Sequence, residues 1–343
     1  MFRIGVMGCG HVADFGHIPA ILETPTLELA ALFDPDQARV SAAGNKFGIK
    51  TATTLESEFF AQDLKAVVIA SPPFAHASNA VAAAKRGCLI LCEKPIADTV
   101  EAGQQMIEAV RAEGAQIFTA FVYRYSPVAE QIKRWIEQGI VGEIRSLRLN
   151  YLWNLHGRFE EDARGEWVES PRWRGRMLEG GPLVDCGVHQ IDLARWWLQS
   201  EVVRSQAIGA WVSDYEAPDH MFLHLDHANG AHTSIEVSFT YGHTAKEPRS
   251  VFTYELIGTG GVIRFDRDGY VLEARHGQGT LGASGSSEKN FAGMYAALVR
   301  ELELRTSTEL PSAEDGLIAT SIAEAATEAA IAAHGNILMQ KMH

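Results

Sequence analysis

Cysteine is scarce in this chain, at four of 343 residues. Cys88 and Cys92 share one short apolar run, where four residues of extended chain hold them roughly 13 Å apart. That separation excludes a disulfide within the strand, and an extended strand does not converge two thiolates on zinc. With Cys9 and Cys186 they read as reduced thiols, consistent with an expected cytoplasmic setting. Basic residues are also short, with 30 Lys and Arg against 43 Asp and Glu and a net charge of −13. Such a balance disfavours nucleic acid or an anionic membrane as the main partner and leaves small, locally recognised ligands open. No apolar run approaches the ~18 residues of a membrane span. The opening Met1–Gly8 has no basic region, apolar core and cleavage site in series, so it reads as a strand rather than a signal peptide. His224, His227 and His232 fall on strand positions with a scattered spacing, and no metal is expected.

What is present is ordinary globular composition, 46% hydrophobic and 21% charged, at a length for two domains. Over residues 1–122 short apolar runs alternate with helical patterns, the signature of βαβ units around a parallel sheet. The runs are Phe2–Met7, Leu27–Phe33, Ala66–Ala70, Cys88–Cys92 and Gln116–Ala120, with helices predicted over about 11–22, 75–85 and 98–111. Over residues 123–343 the character changes. A helix from Ser126-Pro127 to about Gln138 precedes alternating, β-branched segments beginning at Ile144, Val202, His220, Ala231, Val251, Gly261 and Tyr270. Short turns between them predict an antiparallel or mixed sheet with one covered face. Residues 277–287 read as a Gly/Ser-rich surface loop. Two helices follow, about 291–303 and 313–333, and the second, alanine-rich, is expected to pack back on the first domain.

The chemistry gathers in two constellations. Gly8-Cys9-Gly10-His11-Val12-Ala13 is a G-x-G-x-x-A fingerprint lying between a strand and a helix. There the first glycine permits a tight turn, the second lets backbone approach a pyrophosphate, and Ala13 is small enough for close helix–strand packing. The helix amino end, at His11 and Val12, offers N–H groups to the phosphates. Asp34, ending the second strand, is placed for the adenosine ribose diol and repels a 2′-phosphate, which favours NAD over NADP. Arg39, five residues on, is the cation that would serve NADP instead. Ser71-Pro72-Pro73-Phe74-Ala75-His76 follows the third long strand and runs along the dinucleotide, while His76 alone reads as a cap or packing residue. Glu93-Lys94-Pro95 follows the next strand, so Glu93 and Lys94 are candidate cofactor contacts, and Lys94 projects where ligands gather in open α/β sheets and can stabilise oxygen charge.

The second constellation is Gly180-Gly181-Pro182-Leu183-Val184-Asp185-Cys186-Gly187-Val188-His189, with Asp192 beyond. In a helix from Leu183, Asp185 and His189 share a face. His189 is suited to take a hydroxyl proton near neutrality, although a buried Asp–His pair serves equally as a structural pair. Asp192 fits a structural role. Arg124, Tyr125, Trp153, Asn154, His156, Arg172 and Trp173 are candidates for a substrate pocket, aromatic faces suiting sugar rings and Arg or Asn suiting hydroxyls.

In this order the motifs resemble the Gfo/Idh/MocA family of glucose–fructose oxidoreductase and inositol dehydrogenase. They are Gly8-x-Gly10-x-x-Ala13, Asp34, Ser71-Pro72-x-x-x-His76, Glu93-Lys94-Pro95, Arg124-Tyr125-x-Pro127, Gly139-x-x-Gly142 and Gly180-Gly181-x-x-x-Asp185-x-Gly187-x-His189-x-x-Asp192. The resemblance implies a Rossmann domain, doubly wound, followed by an α/β domain whose open, largely antiparallel sheet forms dimers or tetramers. It also implies Lys94 at the nicotinamide ribose and substrate hydroxyl, His189 as acid/base, and Asp185 as its partner or a substrate ligand. Glu179-Gly180-Gly181-Pro182 departs from the family's longer glycine run, and Leu155–Arg176 is unusually charged. The expected activity is NAD-dependent oxidation of a sugar or cyclitol secondary alcohol or hemiacetal. Transient redox at a bound NAD, driving a glycoside cleavage or epimerisation, and a non-catalytic dinucleotide-binding regulator are the alternatives.

Overall fold

Strands that are apolar along nearly their whole length need cover on both faces, and the first part of the chain supplies it. A computed structural model describes the chain apart from residues 155–158, 163, 214, 243–244, 248, 305–308 and 342–343, and apart from the side chains of 160–161, 171–172 and 336–341. Two compact units divide it: Met1–Tyr125 with Glu288–Thr320, and Ser126–Ser287 with Ser321–His343.

The first unit is built on β1 (Phe2–Met7), β2 (Leu27–Phe33), β3 (Ala52–Thr53), β4 (Ala66–Ile69), β5 (Leu89–Cys92) and β6 (Ile117–Thr119). They form one sheet in the order β3-β2-β1-β4-β5-β6, and its paired strands are parallel. The order reverses at β1, the switch point where ligands bind such sheets. Alternation along each strand sends Ile4, Val6, Val68 and Leu91 to one core and Met7, Val67, Ile69 and Ile90 to the other. Each face therefore buries its own layer of helices, which is why the strands read as nearly continuous apolar runs. The short β3 and the helix Glu56–Phe60 escaped the sequence pattern, being too short to show a period.

The second unit adds β7 (Ile144–Leu152), the hairpin β8 (Phe159–Glu161) and β9 (Trp167–Glu169), β10 (Val202–Ala210), β11 (His220–His227), β12 (His232–Ser238), β13 (Val251–Gly258), β14 (Gly261–Asp266), β15 (Val271–His276) and β16 (Gly279–Gly282). Its eight-stranded sheet runs β10-β11-β12-β7-β13-β14-β15-β16. Only the β12–β7 pair is parallel among these described strands. One face is apolar and buried, with Leu223, Leu225, Val237, Leu149, Tyr254, Leu256 and Phe265. Trp197, from the helix Val188–Leu198, packs edge-on to Tyr254 at 5.2 Å and its indole N–H reaches Ala129 O at 3.1 Å. The other face carries charge pairs such as Arg148–Glu255 and His220–Glu236 among the apolar Ile208, Phe222 and Ile257.

Two expectations are corrected. The stretch read as a loop from 277 contains β16, paired with β15 through main-chain bonds that a Gly-rich sequence does not advertise. The helix Ala313–Lys341 runs past residue 333, and over Ala313–Gly335 it has the length and composition of a membrane span, with mean hydropathy 1.2. Alanines together with Leu317, Ile318, Ile322 and Ile331 produce that value, and Ala319, Ala323, Ala326 and Ala330 are buried against protein.

Candidate active site

Register explains how the first constellation assembles. Met7 lies beside Phe33 on one flank and Ile69 on the other, and Ile69 lies beside Cys92. The residues that follow therefore leave the same edge of the sheet: Gly8 after β1, Asp34 after β2, Ser71 near the end of β4, and Glu93-Lys94 after β5. Gly8 has φ +96, and a Cβ there would stand 2.6 Å from the Ala70 carbonyl carbon and nearer still to Ser71 N. Only glycine permits that approach. A Cβ on Gly10 would meet nothing within 4 Å, so its backbone presents an open face of the kind a pyrophosphate needs.

Asp34 is buried and anchors the turn: Oδ2 accepts the Cys9 N–H at 2.8 Å and Oδ1 the Asp36 N–H at 2.9 Å. Burial, and then the Asp34 charge, push the Cys9 thiol up to about 12, so it stays a neutral thiol. Arg39 is exposed and pairs with Asp36 Oδ2 at 3.3 Å. Residues 11–23 are helical as expected, except that Ala13–His17 forms a π turn. Such one-residue insertions cluster at functional sites and do not interrupt an apolar pattern enough to be read from it.

His76 is buried, its Nε2 2.8 Å from Ser71 O and its Nδ1 3.2 Å from Ile96 O. Burial lowers its pKa, against the pull of those carbonyls. It thus ties the Ser71-Pro72 turn to the segment after Glu93-Lys94-Pro95, while Ser71 Oγ accepts from Asn79 Nδ2 at 3.0 Å. Glu93 is buried too: His17 Nε2 lies 2.9 Å from Oε1, and Oε2 accepts the Lys94 N–H at 3.1 Å. Arg124 pairs with Asp315 at 3.2 Å, and the Tyr125 hydroxyl donates to Glu309 O at 2.9 Å. These two side chains are engaged with the returning 288–320 segment of their own unit.

In the second unit Gly180 and Gly181 take φ +106 and +70, and the chain enters a π turn at Leu183–Gly187 before the helix Val188–Leu198. The α-helical spacing assumed between Asp185 and His189 thus begins in a wider turn, a correction whose cause is the inserted residue. Asp185 and His189 are both buried. Arg176, near the end of the helix Pro171–Leu178, pairs with Asp185 at 3.0 Å and with Glu179 at 3.3 Å. Sequence reasoning missed Arg176. The available signal was the alternate arginines at 172, 174 and 176 just ahead of a glycine turn able to fold them back.

Trp153 and Trp173 meet on Phe239, at 6.2 and 6.3 Å, and Trp173 also approaches Tyr215 at 6.0 Å. Trp173 is fully buried, while Trp153 is half-buried and stacks on Tyr151 at 5.6 Å. Asn154 bridges to Thr240. His156 lies outside the described residues, as does the side chain of Arg172. Among the described residues no three His, Cys, Asp or Glu converge as a metal site.

Comparison with known proteins accounts for both units. Residues 2–121 match the model of an oxidoreductase family with an NAD-binding Rossmann fold, and residues 129–264 the GFO/IDH/MocA C-terminal domain. Levoglucosan dehydrogenase of Pseudarthrobacter phenanthrenivorans is 27% identical over 76% of this chain and 71% of its own. The scyllo-inositol 2-dehydrogenase (NAD(+)) of Bacillus subtilis is 25% identical over 83% and 78%. In fold, the chain resembles a putative NADPH-dependent oxidoreductase of Desulfitobacterium hafniense, at TM-score 0.82, 19% identity and coverage of 96% and 95%. With both halves of one family matched in order, the chain belongs to the Gfo/Idh/MocA family and is an NAD-binding oxidoreductase.

Proposed function

We propose that this enzyme transfers hydride between a secondary alcohol or hemiacetal of a sugar or cyclitol and the nicotinamide of NAD. The observation that carries the reading is the common register of Met7, Phe33, Ile69 and Cys92, after which Gly8, Asp34, Ser71 and Lys94 emerge along one edge at the switch point. Relatives named for levoglucosan and scyllo-inositol support the substrate class. Bound NAD supplies the hydride acceptor. Gly8, Gly10, His11 and Val12 hold its pyrophosphate, Asp34 its adenosine ribose, and the Ser71-Pro72 turn, braced by His76, runs along it. His189 is suited to take a hydroxyl proton at a ring nitrogen, and the Lys94 ammonium is suited to stabilise charge developing on an alcohol oxygen. Asp185, with Arg176 against one carboxylate oxygen, orients His189 or a neighbouring substrate hydroxyl.

NAD rather than NADP fits a buried carboxylate at Asp34 and an Arg39 already paired with Asp36. None of the four cysteines is in a disulfide, which supports a cytoplasmic setting. The partly apolar outer face of the eight-stranded sheet supports a homodimer or homotetramer, which light scattering showing a monomer at micromolar concentration would refute. The activity is tested by offering inositols, aldoses and anhydro sugars with NAD and NADP, following NADH absorbance beside product analysis. Turnover with NAD is expected. Sugar conversion without net NADH points to transient redox, and no conversion of any member sinks the proposal.

A further inference from the structure

Three buried polar groups of the first unit, none with a part in the hydride-transfer scheme, meet beside the lysine loop. His17, the last residue of the π turn after the glycine fingerprint, is fully buried, with its ring edge-on to Phe291 at 5.1 Å. Its Nε2 is 2.9 Å from Glu93 Oε1 and its Nδ1 is 2.8 Å from the Tyr295 hydroxyl. Glu93 Oε2 accepts the backbone N–H of Lys94 at 3.1 Å, and the Glu93 N–H donates to Ile69 O at 2.9 Å. The cluster thus joins the nucleotide-binding helix, the Glu-Lys-Pro loop and the helix Phe291–Leu304.

Donor and acceptor counting fixes how it works. Burial by itself would raise the Glu93 pKa, but the His17 hydrogen bond and charge, with Lys94 and Lys289, reverse this and hold it at about 2. Glu93 is therefore a carboxylate, able only to accept, and the Nε2 proton of His17 points at it. Burial, then the Glu93 charge, push Tyr295 well above its ordinary value, so it remains a phenol sharing a hydrogen bond with Nδ1. The carboxylate is held from both sides, by an imidazole through one oxygen and by the Lys94 main chain through the other. A buried cluster built on a carboxylate is costly to desolvate, and apolar residues of the same volume would fill the space as stably. What such residues cannot do is orient a loop through directed hydrogen bonds, the role outer partners play around reactive groups.

We propose that His17 is a positioning residue for Lys94: by fixing the Glu93 carboxylate that accepts the Lys94 main-chain N–H, it sets where the lysine ammonium stands. The inference rests on the catalytic reading of Lys94. It is tested with His17→Ala and His17→Gln, the glutamine amide keeping a donor toward Glu93. Three measurements are taken: hydrogen exchange of the Lys94 amide by NMR, NADH binding by fluorescence titration, and kcat and KM on whichever sugar or cyclitol the wild type oxidises. In His17→Ala the Lys94 amide should exchange at least ~10-fold faster while Leu89–Cys92 keep wild-type rates. The kcat should fall about 10- to 100-fold, as for a reacting group misplaced by about 1 Å, with KM and NADH affinity within about threefold. His17→Gln should recover most of both losses. A Lys94 amide and a kcat within about twofold of wild type in His17→Ala would overturn the proposal. So would faster exchange spread evenly through Leu89–Cys92, with lost NADH affinity and no rescue by glutamine. If the wild type oxidises no compound offered, the hydride-transfer reading falls, and the Lys94 amide alone decides whether His17 positions the loop.

Discussion

Replacing Glu93 by glutamine tests the charge at the centre of the first unit. Its pKa falls from 4.5 to about 2 in the folded chain. At roughly 1.4 kcal/mol for each tenfold change, that difference contributes about 3 kcal/mol of folding stability. Glu93 is only 7% exposed, so solvent screening removes little of it. Because the folded value is depressed, the contribution is fully present above the unfolded value and is lost as pH falls toward the folded one. The gap between wild type and Glu93→Gln should therefore hold from pH 7 to about 5.5 and narrow by about 1 kcal/mol by pH 3.5. All seven tryptophans belong to the second unit, so their fluorescence does not report on Glu93's unit. Urea unfolding followed by far-UV circular dichroism reads the gap, with tryptophan fluorescence as the control for the second unit. A gap below about 1 kcal/mol at neutral pH, or one equal at pH 7 and 3.5, would refute an ionised, His17-held carboxylate.

Gly8→Ala forces a Cβ against Ser71 N at a φ of +96, a strain on the order of 1–3 kcal/mol, and should weaken NADH binding more than about tenfold by fluorescence titration. Asp34→Ser removes the carboxylate that repels a 2′-phosphate and should raise the NADP to NAD ratio of kcat/KM; a wild type already preferring NADP would reassign the choice to Arg39. Lys94→Ala should lower kcat by about 10²-fold through lost oxygen stabilisation. His189→Ala should lower it roughly 10²–10⁴-fold, leave NADH affinity near wild type and flatten the acid limb of kcat/KM against pH. Wild-type turnover with that limb unchanged would make His189 a structural helix residue.

What the sequence disclosed and what it withheld differ in range. Gly8, Asp34 and Lys94 were legible because each sits at the end of an apolar run, and a strand's end is a local signal that register then converts into a shared edge. The eight-stranded sheet was legible in kind, from alternation, but β16 was not, since its glycines pair through main chain alone. The π turns at Ala13–His17 and Leu183–Gly187 left no mark because one inserted residue barely disturbs an apolar stripe. The supports of the site were the least legible of all. Arg176 reaches Asp185 only because Gly180 and Gly181 turn the chain back through positive φ. Glu93 meets His17 from 76 residues away and, through it, Tyr295 from the far end of the chain. A motif names the group that faces the ligand, whereas the groups that hold it are chosen by tertiary packing. Sequence reading put Glu93 among the cofactor contacts, yet its two oxygens face His17 and the Lys94 main chain. A residue adjacent to a reactive one in sequence can thus serve the site from behind.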